Sequence, residues 1–222
     1  MIIWFASGNV HKKKELADIL FADNQSLLKV SNGAKSFELK TPNDVGPEFG
    51  PEETGESFLA NALLKARELR RLLEKQRPAA YTSEDPVIAD DSGICVDALD
   101  GRPGIHSAYY GGKNISAAER NIKLLAELGD NPLRSARFIC TMVLDCGPER
   151  FFAAQEKLEG ILVKDAESAK GFNGFGYDPI FFIPALGRTV AELSDEEKNR
   201  LGHRGKAGRV IAKIISESYF TL

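Results

Sequence analysis

The chain has 222 residues, 43% of them hydrophobic, enough to bury one core with lobes but short for two full domains. Lysine and arginine number 29 against 32 aspartates and glutamates, a formal charge of −3, which disfavours general attraction to a nucleic-acid backbone or an anionic membrane. An anionic ligand must therefore be met by local basic groups.

Cys95, Cys140 and Cys146 are odd in number, lack a C-x-x-C spacing and lie in apolar runs, which points to free thiols in a reducing compartment. The opening run MIIWFA is short, its charges follow it instead of preceding it, and no stretch approaches a membrane span. A soluble, cytoplasmic protein is expected.

In chain order, MIIWFA reads as a buried strand, SGN punctuates it, and HKKKELADIL begins a helical pattern. A second strand is expected at residues 26–31, followed by the acidic, Pro- and Gly-rich loop TPNDVGPEFGPEETGE. From Ser57 to Leu73 the apolar residues Phe58, Ala62, Ala66, Leu69 and Leu73 recur at helical spacing and describe one buried stripe, with Asn61, Lys65 and Glu68 on another face. RPAAYTSEDP is a surface loop. VIADD is a strand, with Ser92-Gly93 a plausible ending.

SAAERNIKLLAEL is a helix with Ser116 as N-cap and Glu119 closing a capping box. ARFICTMVLDC has the near-continuous apolar character of a central strand, and RFFAAQEKLEGILV is expected to pair with it. After the Gly-rich KGFNGFGYDPIFFIP come a short helix, a break at Gly202 and a final amphipathic helix. Strands and helices alternate without repeats, so the class is α/β with a central sheet.

Five places carry residues suited to chemistry. In SGNVHK a glycine turn leaves a strand and enters a helix, exposing backbone N–H groups beside Lys12 in a phosphate cradle; the bland alternative is a turn and cap with solvated lysines. Adjacent Asp90 and Asp91 disfavour each other's ionisation, and a divalent cation such as Mg²⁺ would relieve that; the bland alternative is a cap and a surface charge. Glu52 and Glu53 precede a helix, where its dipole favours them, and one could complete a metal site. FNGFGYDP interleaves Phe172, Phe175 and Tyr177 with glycines before Asp178, a stacking platform for a planar base or else ordinary loop packing. Finally, EEKNRLGHRGKA brings Lys198, His203, Arg204 and Lys206 to the start of the last helix, where basic groups oppose the dipole unless an anion is near.

Taken together these segments outline a nucleoside triphosphate site. They also resemble the inosine triphosphate pyrophosphatase family in SGNVHKKKEL, EETGESFLANALLKA, IADDSGICVDALDGRPGIHSA, GFGYDPIFFIP and AELSDEEKNRLGHRGKA, in the family's order and over nearly the whole chain. The resemblance implies hydrolysis of ITP, dITP or XTP between the α- and β-phosphorus, giving a nucleoside monophosphate and pyrophosphate. It also implies a single domain spanning residues 1–222: an elongated mixed sheet flanked by helices, two lobes with the active-site cleft between them, and a homodimer. By position it makes Asp91 the general base and a metal ligand, with Glu52, and Asp90 in a supporting place, holding Mg²⁺. Ser7, Gly8, Asn9, Val10, His11, Lys12, Ser92, Lys198, His203 and Arg204 would contact the nucleotide, and Phe175, Gly176, Tyr177 and Asp178 the base. Gly202, His106 and Tyr109 depart from the family pattern, the first where a serine is usual. The competing expectations are a pyrophosphatase for modified pyrimidine nucleotides and a non-enzymatic nucleotide sensor, the latter having no need of the acidic cluster.

Overall fold

The N-terminal apolar run forms β1 (Ile2–Phe5), and Ser7–Asn9 turns the chain into α1 (Val10–Phe21) in a computed structural model describing residues 1–21, 38–44, 46, 49–112 and 114–220. The strand expected at residues 26–31 lies outside the described residues. β2 (Glu38–Lys40) pairs in parallel with β1. α2 (Phe58–Gln76) starts at Ser57, whose hydroxyl accepts from the Ala60 N–H. β3 (Val87–Val96), α3 (Ala117–Leu128), β4 (Ser135–Asp145), β5 (Phe151–Leu162), β6 (Phe181–Ile183), β7 (Arg188–Thr189), α4 (Asp195–Leu201) and α5 (His203–Phe220) follow.

The strands form a mixed seven-stranded sheet in the order β2-β1-β3-β4-β5-β6-β7. β1 runs parallel to β2 and β3, whereas β6 is antiparallel to both β5 and β7. The fold is α/β, as the alternation of elements requires. The capping box of α3 and the break at Gly202 fall where the sequence places them. One expectation is corrected: β3 does not end at Ser92-Gly93 but continues to Val96. Its extension is held by the Ile94 N–H, which donates to Ser107 Oγ at 2.9 Å, and by the Val96 N–H donating to the Arg102 carbonyl at 3.2 Å.

Two compact units divide the chain. The first comprises residues 1–91, 141–155 and 204–222. There Ala62, Ala66, Leu69 and Leu73 of the predicted α2 stripe bury against Trp4, Ala6, Val87, Ala89 and Val143 from the sheet, whereas Phe58 at the helix start is half-buried. α5 lies close to α1, since a Cβ on Gly208 would come within 2.9 Å of the Ile19 side chain. The second unit comprises residues 92–140 and 156–203. Its core joins Leu124 and Leu128 of α3 to Ile94, Val96, Phe138, Leu158 and Phe181 of the strands, and it includes Tyr177. Cys140 is buried, Cys95 and Cys146 are half-buried, and all three are free thiols. Among the described residues no helix is long and apolar enough to cross a membrane.

Candidate active site

Because β3 stays regular through its aspartates, their side chains point to opposite faces. Their partners differ accordingly. Asp90, only 2% exposed, accepts from Lys12 Nζ at 2.9 and 3.1 Å and from Arg204 Nε and Nη2 at 3.4 and 3.3 Å. Arg204 Nη1 in turn donates to Glu15 at 2.5 Å. Two acids and two bases thus form a neutral group joining β3 to α1 and α5. Burial alone would raise the Asp90 pKa, but Lys12, Arg204 and Lys65 outweigh it and hold the carboxyl well below its ordinary 3.8. The anion that rationalises Arg204 at the start of a helix is therefore Asp90 itself.

Asp91 faces α2. Lys65 Nζ donates to Asp91 Oδ1 and to Glu53 Oε1, both at 2.9 Å, and Asn61 Nδ2 donates to Asp91 Oδ2 at 3.2 Å. Here burial prevails: it raises the Asp91 pKa above 3.8, with Glu53 adding to the rise, while Lys65 and Asn61 only partly offset it. Lys65, also buried, is raised despite desolvation by Asp91, Asp90 and Glu53. The two adjacent carboxyls are thus shifted in opposite directions.

At the proposed phosphate cradle, Asn9 Oδ1 accepts from the His11 and Lys12 N–H groups at 2.9 and 3.2 Å, and Ser7 Oγ from the Asn9 N–H at 3.2 Å. Asn9 is the helix cap, and the exposed turn Gly8–His11 carries N–H groups that an incoming anion would take over from it. In the second unit Asp178, 4% exposed, accepts on Oδ2 from the Phe175 N–H at 2.8 Å and from Lys198 Nζ at 2.9 Å. That ammonium lies 4.7 Å from the centroid of the Phe175 ring. Asp178 therefore shapes its own loop and anchors Lys198. Gly174 is obligatory here, because a Cβ would come within 2.1 Å of Asp178 Oδ2. Tyr177 is in the core, its hydroxyl donating to the Ser107 carbonyl at 2.8 Å, which leaves Phe175 as the ring beside the cation. His203 is buried with its ring stacked on Phe138 at 4.9 Å, and Ser92 is half-buried on β3.

Residues 3–214 match the Ham1 family. The chain belongs to that family. It is 43% identical over 221 residues to a Treponema denticola protein named dITP/XTP pyrophosphatase, covering 98% of this chain and all of that one. A Geobacillus kaustophilus protein of the same name is 44% identical over 207 residues, covering 92% of this chain and 89% of its own. Among solved structures, the Ham1 protein of Staphylococcus aureus superposes with a TM-score of 0.77 at 34% identity, covering 97% of this chain and 98% of that one.

Within this Ham1 chain, the sequence-predicted residues Lys12, Asp90 and Arg204 meet in one cluster, and Phe175, Asp178 and Lys198 in another. Glu52 is exposed, and the glutamate that reaches Lys65 beside Asp91 is its neighbour Glu53. Lys65 and Asn61 stand out only once α2 is placed: they lie one helical turn apart, both buried, beside an otherwise apolar stripe. Glu15 carried no sequence signal, since it sits within a run of ordinary helix formers.

Proposed function

We propose that this chain hydrolyses deaminated purine nucleoside triphosphates, ITP, dITP and XTP, to the nucleoside monophosphate and pyrophosphate, removing them from the nucleotide pool. The observation that carries the reading is the opposed setting of Asp90 and Asp91. Two adjacent carboxyls whose environments push their pKa values apart are suited to different tasks. Asp91, held by Lys65 and Asn61, is the proton acceptor for the attacking water, and Asp90 is the anion that organises Lys12 and Arg204. The names of the relatives, dITP/XTP pyrophosphatase at 43% and 44% identity, favour the purine reading over modified pyrimidines.

Water adds across the α–β anhydride, its proton passing to Asp91 and pyrophosphate leaving. Lys12, whose side chain is 18% exposed, can turn from Asp90 toward the polyphosphate, and positive charge there is the main demand of phosphoryl transfer. In the second unit, Phe175 offers the base a ring face, and Lys198 is a donor-only cation beside it. A 6-oxo group can accept from such a donor, whereas a 6-amino group cannot.

A magnesium ion would be held at the acids around Lys65. Asp91 and Glu53 already share one positive charge, and among the described residues no cluster of three or more His, Cys, Asp or Glu forms a cage. Magnesium is commonly held by one or two carboxylates together with substrate phosphates. Bound there by Asp91 with Glu53 or Glu52, it would neutralise charge on the polyphosphate. The proposal includes a homodimer in the cytoplasm, following the family resemblance; sedimentation equilibrium reads the oligomer. The decisive assay is pyrophosphate release with Mg²⁺ from ITP, XTP and dITP, with ATP, GTP and a modified pyrimidine triphosphate as controls. Release of orthophosphate, or equal turnover of ATP, would overturn the reading.

A further inference from the structure

The loop that presents Phe175 is built from glycines with left-handed backbone, Gly174 at φ +82° and Gly176 at φ +65°, and it borders a cavity of about 370 Å³. Phe172, Phe175 and Gly176 line one side; Ala118, Asn121 and Ile122 of α3 line the other. An aromatic ring on a glycine-hinged loop beside open space has room to turn away from its working position. Something must hold it. Asp178 holds the Phe175 N–H, and Tyr177 fastens the loop's far end through the Ser107 carbonyl. The peptide between Gly176 and Tyr177 is held from α3, where Asn121 Nδ2 donates to the Gly176 carbonyl at 3.0 Å.

Asn121 is 7% exposed, and its Oδ1 is buried without a hydrogen-bond partner. Turning the amide over would not help, because the Gly176 carbonyl needs the N–H₂ end. A chain selected for stability alone would place an apolar residue here, as Leu124 and Leu128 do on the same helix, since an orphaned buried carbonyl is a net cost. We infer that Asn121 is a positioning residue for base recognition: its amide is the strut that keeps the Phe175–Gly176 segment out of the neighbouring cavity and aimed at the purine. The inference rests on the proposed function for its substrate, but the strut itself does not.

Two measurements on Asn121→Leu, with Asn121→Ala as a variant of no added bulk, separate the possibilities. In amide hydrogen exchange, residues 174–178 should exchange faster than in the parent, while the melting temperature of Asn121→Leu does not fall. In kinetics, the KM for ITP should rise on the order of 10-fold, the scale of one base-stacking contact, with kcat nearly constant. Inhibition by inorganic tripolyphosphate, which carries no base, should be unaffected. Unchanged exchange at 174–178 overturns the inference, as does a loss of tripolyphosphate inhibition in step with the KM change, which would mark general damage. If the parent protein releases no pyrophosphate from ITP, the proposed function falls, and the exchange result alone decides the strut.

Discussion

Asp90→Asn and Asp91→Asn make the same chemical change one residue apart and should have opposite consequences. Removing one partner of a buried ion pair costs on the order of 3–5 kcal/mol. For Asp90 the lower end applies, because Arg204 keeps its bond to Glu15 and the Lys12 side chain, 18% exposed, can turn to water. A loss of about 3 kcal/mol corresponds to a melting temperature lower by roughly 6–12 °C for a chain of this size. At Asp91 the folded state disfavours the charged form, so at neutral pH a neutral amide relieves a cost, and Lys65 retains Glu53 at 2.9 Å. Asp91→Asn should therefore melt at or above the parent temperature while its turnover is lost.

The pH dependence has a definite sign. The Asp90 pKa is depressed on folding, so its contribution is present above the ordinary 3.8 and fades as pH falls toward the folded value. Asp90→Asn should lack that part of the acid slope. Thermal melts from pH 7 to pH 3, paired with pyrophosphate release at pH 7, read both variants. The reasoning fails if Asp91→Asn is as destabilised as Asp90→Asn, or if Asp90→Asn melts with the parent.

Phe175→Ala should raise the KM for ITP by about 10-fold or more if one stacking contact of about 1–3 kcal/mol is lost; an unchanged KM would remove Phe175 from base binding. Gly202→Ser introduces the serine that the family resemblance implies, yet its Cβ would lie 2.5 Å from the Lys198 carbonyl, which already accepts from the Gly202 N–H at 2.8 Å. Overpacking of that kind costs about 1–3 kcal/mol, so the variant should melt lower, and a melt equal to the parent would show that the α4–α5 junction yields. For Tyr177, burial raises the pKa above 10.0 against a lowering by Arg120, so the neutral phenol stabilises the fold below pH 10 and this contribution is lost as pH rises above it. Tyr177→Phe should flatten the alkaline limb of a stability-versus-pH curve, and an identical limb would place the cause elsewhere.

The features legible in the sequence are those set by neighbours a few residues away. The α3 capping box needs only Ser116 and Glu119, the α2 stripe only its own spacing, and the Gly202 break only the poor helix propensity of glycine. The course of β3 was not legible, since Ser92-Gly93 resembles a stop. The strand runs on beside its sheet neighbour β4, and Ser107, thirteen residues later, takes the Ile94 N–H on its hydroxyl. Glu52 and Glu53 are likewise indistinguishable as letters, and the choice between them is made by the reach of Lys65, twelve residues downstream on a helix.

The same distinction accounts for the adjacent aspartates. A carboxylate pair invites an ion as its remedy when only the sequence is in view, because the charges are known and the counter-charges are not. Strand alternation first divides the pair between two faces, and distant segments then supply each face separately. Arg204 reaches Asp90 across 114 positions and Glu15 across 189, while Lys65 comes to Asp91 from 26 positions before it. Neutralisation on one face and burial on the other give identical neighbouring side chains opposite protonation tendencies. On the proposed reading, an ion arriving with a triphosphate would meet Asp91, and Asp90, held by Lys12 and Arg204, would remain the anchor of those cations.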